Sequence, residues 1–517
     1  MPVYAFPQDV SRFVLPAELG LARLVRRGRA QTATYFDTFD GRLHRRGLHL
    51  VRTRDGLSLH QADSGEALHT TRPGSSPDRK RWWELLPGPL RDACEPILGP
   101  RALLRVLELG SRLEQSEVVD DQGKAVVRFQ VIALEHIDEQ RPVRPIRLLA
   151  PQPLKGYDQA LAALIEALKG QGFEEVAPSP LAFALLQTGS SAGQYSPKIQ
   201  VQLDPELPAR VALLRVLRRL LQTMQQNLDG IARDIDTEFL HDFRVALRRT
   251  RSALGQMRHL FAVSEIQPFR DSLAEIQRHT NRLRDLDVYL LERRRFEQSL
   301  PVALRPGLGH FFTGMARTRR ASLIEVQTYL ESAAFQQALQ AWSAYLDREP
   351  DLRTPESARR PVLSVARTVI RRRYAKIGRF QKQVRTAPTA PTLHALRIEC
   401  KKLRYLLEIF ASLFPPEQLD PLVKQLKGLQ DVLGGLNDLH LQQQELSDYL
   451  TTCRLSGKRA LTAGASIGGL IALLSADQAR LMTRLEPALR RFRGRATRRL
   501  FEALLAGPDA RSDEVAT

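Results

Sequence analysis

The chain has 517 residues, 43% of them apolar, which is too long for one hydrophobic core and apolar enough for more than one. Its net charge of +20 is unevenly spread. Residues 1–200 hold 26 Lys and Arg against 23 Asp and Glu, so residues 201–517 hold 77 − 26 = 51 against 57 − 23 = 34, a net of +3 followed by +17. Such a bias concerns partners: nucleic acid, an anionic membrane surface or a free polyanion. Cys94, Cys400 and Cys453 are too scattered for a disulfide framework or a metal site, which suits a reducing compartment.

The opening MPVYAFPQDVSRF has no basic region followed by an apolar run, so it reads as no secretory signal and the chain as cytoplasmic. Thr34 to Asp37, the pair Asp40-Gly41 and Leu48 to Arg54 predict a hairpin. Residues 124–134 predict a further strand, and residues 157–169 an amphipathic helix. The small, polar stretch around 189–197 predicts a linker. From about residue 205 the periodicity is helical throughout. Gly464 to Leu474 is apolar but too short to span a bilayer, so no membrane insertion is expected.

An internal repeat organises the helical part. His241-Asp-Phe-Arg244-Val-Ala-Leu-Arg248-Arg249-Thr-Arg251 matches His394-Ala-Leu-Arg397-Ile-Glu-Cys-Lys401-Lys402-Leu-Arg404, at an offset of 394 − 241 = 153. Leu283 to Leu286 matches Leu436 to Leu439, and Arg218-Arg219 matches Arg371-Arg372, at the same offset. The chain therefore reads as multidomain. A β-rich (α+β) domain spans 1–188, a linker 189–197, and an all-α domain of two repeated helical bundles 198–505. The halves run about 205–346 and 358–505, and a flexible tail 506–517 follows.

At 3.6 residues per turn, His241, Arg244, Arg248 and Arg251 fall within an arc of about 80°, and His394, Arg397, Lys401 and Arg404 repeat it. A solvated face would interleave acids with bases, and the His241 ridge contains no acid. The ridges therefore predict an anion surface. Each histidine lies near a helix start, where free N–H groups favour anions, with Thr237 and Thr392 as expected caps. Arg218, Arg371, Lys424 and Lys427 extend the predicted surface. Asp285 and Asp438 are expected to hold neighbouring arginines. No nucleophile or carboxylate dyad accompanies the ridges, so no catalytic residue, metal or cofactor is assigned.

These blocks, HDFRVALRRTRSAL, HALRIECKKLRYLLEIF, NRLRDLDVYL and LGGLNDLHL, make the C-terminal part resemble the CHAD family. That resemblance implies two helical halves facing each other across a basic channel, inorganic polyphosphate as ligand and an association with polyphosphate granules. The first part resembles a CYTH domain, the triphosphate-tunnel fold, through Tyr35 to Leu43, Arg45 to Leu48 and Arg52 to Arg54. It departs from that family in its opening and at Val143 to Leu148, where alternating glutamates are expected. A degenerate, non-catalytic tunnel with Arg52 and Arg54 as a possible anion site follows. Two other readings stay open: a triphosphatase or nucleotidyl-processing enzyme in the first domain, and a nucleic-acid binder. The aromatic content of 6%, with no aromatic residue inside either ridge, disfavours the latter.

Overall fold

The computed structural model describes residues 3–506 apart from 8, 11–12, 16–20, 29, 63–64, 137–145, 177–194 and 349–354. The expected linker up to residue 194, the tail from 507 and Val143 to Pro145 lie outside the described residues. The chain divides into two compact units, Met1–Ser196 and Pro197–Thr517.

The first unit is built on an antiparallel sheet. Its strands are β1 (Tyr4–Ala5), β2 (Leu21–Arg27), β3 (Gln31–Thr38), β4 (Leu48–Thr53), β5 (Gly56–Gln61), β6 (Ala67–Thr71), β7 (Leu103–Val119), β8 (Ala125–His136), β9 (Ile146–Gln152) and β10 (Glu174–Glu175). They run in the order β10-β1-β9-β8-β7-β3-β4-β5-β6, with β2 on β7 beyond the end of β3. Two helices cover the sheet. α1 (Pro89–Leu98) packs Leu90, Cys94 and Leu98 on Phe36, Leu50 and Leu59, and α2 (Asp158–Gly170) packs Leu164 and Leu168 on Val127, Phe129 and Leu149.

The expected hairpin is present as β3 and β4, with Thr34 opposite Arg52. Its connection is not a two-residue turn at Asp40-Gly41. The chain instead passes through a 3₁₀ turn at His44–Arg46 that ends on Gly47 at φ 65. Asp37 fixes this detour by accepting backbone N–H bonds from Thr38, Leu43 and His44. Asp40 adds ion pairs to Arg42, Arg45 and the buried Arg101.

The second unit is helical: α3 (Ala209–Ala232), α4 (Thr237–Gln256), α5 (Val263–Ser299), α6 (Leu308–Glu331), α7 (Ala333–Asp347), α8 (Glu356–Arg359), α9 (Val362–Thr386), α10 (Ala390–Ile409), α11 (Pro416–Thr452), α12 (Gly457–Thr483), α13 (Leu485–Phe492) and α14 (Arg495–Leu505). α4 and α10 both have 20 residues, α5 and α11 both have 37, and each pair is separated by 153. α3 and α9 start 362 − 209 = 153 apart. Between their heads, Ala209 N–H donates to the Arg360 carbonyl at 2.9 Å and Val362 N–H to the Leu207 carbonyl at 2.8 Å. These bonds flank an antiparallel bridge of Pro208 with Pro361, and each group stands 153 residues from its counterpart.

One core is shared by helices from both sides of that bridge. Leu286 and Phe296 of α5 and Phe311 and Phe312 of α6 meet Leu439 and Leu446 of α11 and Ile467, Leu470 and Leu474 of α12. The apolar stretch near Gly464 belongs to a longer helical run, Gly457–Phe492, which is long and apolar enough by composition to cross a membrane. Its length exceeds the sequence expectation because Gly464, Gly468 and Gly469 do not interrupt the helix. Ile467, Leu470 and Leu474 direct one side of it into the shared core.

Asp287, 1% exposed, shows how a buried charge is held: Arg319 Nε bonds it at 2.7 Å while the same guanidinium grips Asp234 at 2.6 Å. Removing one partner of such a pair leaves an uncompensated charge and costs about 3–5 kcal/mol. Arg319→Ala should therefore lower the thermal midpoint sharply. Adding Asp287→Asn should recover part of the loss; no recovery in a melting experiment would show that Arg319 acts through packing alone.

Candidate anion-binding site

α4 and α10 begin one capped turn before their histidines. Asp236 caps α4 by accepting from Glu238 N–H, and Thr389 caps α10 in a reciprocal pair with Thr392. The caps are therefore Asp236 and Thr389, not Thr237 and Thr392. Pro391, with no N–H to satisfy, fits only in the first turn and sets the earlier start of α10. Both histidines consequently occupy the fifth helical position, past the free N–H groups, and Asp236 already occupies the α4 terminus.

The two helices pack together. Arg249 donates to Glu408 at 2.7 Å, and Gln256 donates to the Lys402 carbonyl at 3.2 Å. This apposition brings Arg248 of the first ridge to Arg397 and Lys401 of the second. The Lys401 ammonium is pushed down to about 8, first by burial, then by Arg397 and Arg248; Asp438 pulls the other way and Arg404 adds to the repulsion. Among the described residues, neither Arg248 nor Lys401 makes a hydrogen bond or ion pair, and the buried Arg248 Nε lacks a partner. Arg397 reaches Asp438 at 3.5 Å, yet its Nε is also buried and unbonded. These three cations exceed their one carboxylate.

The remaining predicted residues divide. Arg244 is 6% exposed and bonds the Gln277 carbonyl, Thr280 Oγ1 and Asn281 Oδ1, so it ties α4 to α5 and is not open to a ligand. Burial first, then Arg248, lowers its guanidinium to about 10. Arg251 bonds Gln277, and Arg404 bonds Glu408 at 2.7 Å and Gln430 at 3.4 Å; both stay half-buried beside the cluster. The second ridge thus does carry an acid, Glu408. Arg218 pairs with Asp347 at 3.4 Å, and Arg371 donates to the Leu505 carbonyl, so both point to neighbouring helices. Lys424 and Lys427 are exposed on α11. His241 is half-buried, while His394 is exposed with Nδ1 3.0 Å from Asn437 Oδ1.

His394 and Arg397 also line a cleft of about 1090 Å³ between α5, α10, α11 and α12, whose walls include Asp285, Asp438, Glu445 and Asp448. Its mixed charge suits positioning: Asp438 orients Arg397, and Glu445 pairs with Arg282 at 3.3 Å. Burial raises the Asp285 carboxyl against the pull of Arg244 and Arg282. In the first unit, Arg52 lines a pocket of about 110 Å³ with Arg72 and Lys80, while Arg54 lies exposed in the β4–β5 turn and does not line it. Sequence reading missed Asn437, Gln277 and Gln430, because amides carry no charge pattern. The equal spacing 430 − 277 = 153 was the only signal for the two glutamines, and Asn437 stood inside the repeated block Leu436 to Leu439.

Lys401 supplies a test that needs no ligand. Its folded pKa lies below 10.5, so its protonated form is disfavoured by the fold. That destabilisation is fully present below about pH 8 and fades as pH rises toward 10.5. Lys401→Met should melt above the parent protein at pH 7, with the gap closing between pH 8 and 10.5. A gap independent of pH would place Lys401 outside the field of Arg248 and Arg397.

The CHAD domain family matches residues 215–447. Among solved structures, the CHAD domain from the plant Ricinus communis is similar over 57% of this chain and 96% of its own, at 21% identity and a TM-score of 0.47. PptA from Streptomyces chartreusis is similar over 55% of this chain and 99% of its own, at 15% identity and a TM-score of 0.40. No curated protein matches.

Proposed function

With residues 215–447 a CHAD domain, we propose that the helical unit binds inorganic polyphosphate between two pseudo-equivalent bundles, at a site made by Arg248, Arg397 and Lys401 and flanked by Arg251, Arg404 and His394. The observation that carries this reading is the meeting of Arg248, Arg397 and Lys401 with the buried Nε atoms of Arg248 and Arg397 unbonded and Asp438 as the paired carboxylate; burial first, then Arg397 and Arg248, lowers the Lys401 ammonium there. A polyanion is the ligand that such a field stabilises. Arg248 and Arg397 can take phosphoryl oxygens bidentately, and Lys401 can add a point charge. The CHAD family's association with polyphosphate supports the choice among polyanions. The paired 153-residue spacings of α4, α5, α10 and α11, and the reciprocal bonds at Pro208 and Pro361, support the two-bundle arrangement.

The same reading gives the first unit the role of a degenerate, non-catalytic CYTH-like domain. Its motif Tyr35 to Leu43 is spent on a turn, with Asp37 and Asp40 engaged by backbone amides and arginines. Arg52 is the residue there best placed to meet an anion. The protein then acts by binding, not turnover, in the cytoplasm where polyphosphate granules form. Phosphate release from tripolyphosphate by the intact protein with Mg²⁺ or Mn²⁺, lost on Arg52→Ala, would overturn this part.

Binding should restore the Lys401 proton. Calorimetry at pH 8.5 in buffers of different ionisation enthalpy should show proton uptake with polyphosphate, absent in Lys401→Arg. Arg248→Gln should weaken binding by about tenfold or more and flatten the log–log salt dependence by about one unit. Long-chain polyphosphate should displace charge-matched RNA, because an aromatic-poor site gives bases no stacking platform. Tighter binding of the RNA would replace polyphosphate with nucleic acid as the ligand.

A further inference from the structure

A second cationic feature lies on the other flank of α10. α9 carries eight Lys and Arg and no Asp or Glu between Val362 and Thr386. Part of it forms a pocket of about 400 Å³ lined by Gln256, Val369, Arg372, Arg373, Lys376 and Arg379, with Ala375. One carboxylate lies beside it. Glu399, 3% exposed, receives Arg373, Lys376 at 3.2 Å and Lys402 at 3.0 Å. Burial opposes its ionisation, but the bonds from Lys402 and Arg373 outweigh that and keep the carboxyl below its ordinary value. Arg372 and Arg379 are exposed and make no hydrogen bond or ion pair among the described residues. Five cations, Arg372, Arg373, Lys376, Arg379 and Lys402, thus face one acid.

The fold does not require all of this charge. At the same offset of 153, the first half keeps Arg219 for Arg372 and Arg249 for Lys402, but places Leu220 for Arg373, Thr223 for Lys376, Gln226 for Arg379 and Ala246 for Glu399. Leu220, Thr223 and Ala246 are all buried there, and α3 packs on α4 without an ion pair at these positions. Burying a carboxylate with its cations is a poor substitute for apolar packing when stability alone is at stake. The glutamate instead holds Arg373 and Lys376 in fixed positions under a pocket whose exposed rim is uncompensated.

We propose that this pocket is a second phosphate subsite, which takes a further segment of the same polyphosphate chain that lies at Arg248, Arg397 and Lys401. It rests on the reading of that first site. Lys401 and Lys402 link the two: adjacent on α10, one belongs to the ridge cluster and the other to the Glu399 group. A short chain occupies one subsite, whereas a long one engages both and gains from the second contact as an intramolecular event. The domain therefore selects long chains.

The test measures tripolyphosphate and long-chain polyphosphate binding to the full-length protein across a salt series. The variants are Arg372→Gln with Arg379→Gln, and separately Lys401→Met. Both pocket residues are exposed, and equal melting temperatures of variant and parent confirm folding. The pocket pair should lower long-chain affinity by about tenfold or more and flatten its salt slope by about two units, leaving tripolyphosphate unchanged. Lys401→Met should weaken both ligands. An unchanged long-chain affinity in the pocket pair, or equal losses for the two ligands, overturns the second subsite while leaving the first. If Lys401→Met alters neither ligand and the pocket pair abolishes both, the pocket is the only site, and the two-subsite proposal falls together with the reading beneath it.

Discussion

The helical unit is organised around a repulsion. Arg248, Arg397 and Lys401 are held at the meeting of α4 and α10, where burial and like charge disfavour the lysine's proton. Isolated helices would turn such faces to water. Here the surrounding structure prevents it: Arg249 is locked on Glu408, Gln256 on the Lys402 carbonyl, and the heads of α3 and α9 bond to each other. The core formed by Leu286, Phe311, Leu439 and Ile467 supplies apolar burial that the cationic seam cannot. Stability is placed in the apolar core and electrostatic strain in the seam.

Much of this was legible because a repeat is a statement about geometry. A constant offset of 153 between His241 and His394 required equivalent helices, and α4, α5, α10 and α11 keep that offset at both ends. One acidic partner was also foreseeable, since Asp438 reaches Arg397 at 3.5 Å, whereas Asp285 feels Arg244 and Arg282 without an ion pair among the described residues. The fate of Arg244 was not. A helical wheel fixes its direction to within a fraction of a turn, but it does not say that Thr280 and Asn281 of α5 wait there. The partners of Arg218 and Arg371 were hidden for the same reason: Asp347 and the end of α14 are distant in sequence and carry no periodic mark.

In the first unit the sequence pattern carried a different message. Tyr35 to Leu43 holds a dense set of polar residues of the kind that marks ligand contacts. Asp37 and Asp40 are instead buried, and they satisfy amides and guanidinium groups within the connection from β3 to β4. A chain that must leave a strand, make a 3₁₀ turn and re-enter beside it exposes several backbone donors at once. A carboxylate accepting three of them is the compact solution. Arg52, Arg72 and Lys80, from separate strands and loops, line a common pocket there with Glu84.

The two halves are alike in frame and unlike in chemistry, and position 248/401 shows why that matters. The first half uses arginine and the second lysine at the same offset. An arginine stays charged throughout the accessible pH range, whereas a lysine in a repulsive, partly buried setting can give up its proton. With Lys401 lowered to about 8, the cluster can shed one charge at modest alkalinity. Two arginines would keep the field permanently and leave the empty fold more strained. Two lysines would let it collapse. The mixed pair keeps one fixed charge from α4 and one adjustable charge from α10, so the pH response of the cluster resides in the second half.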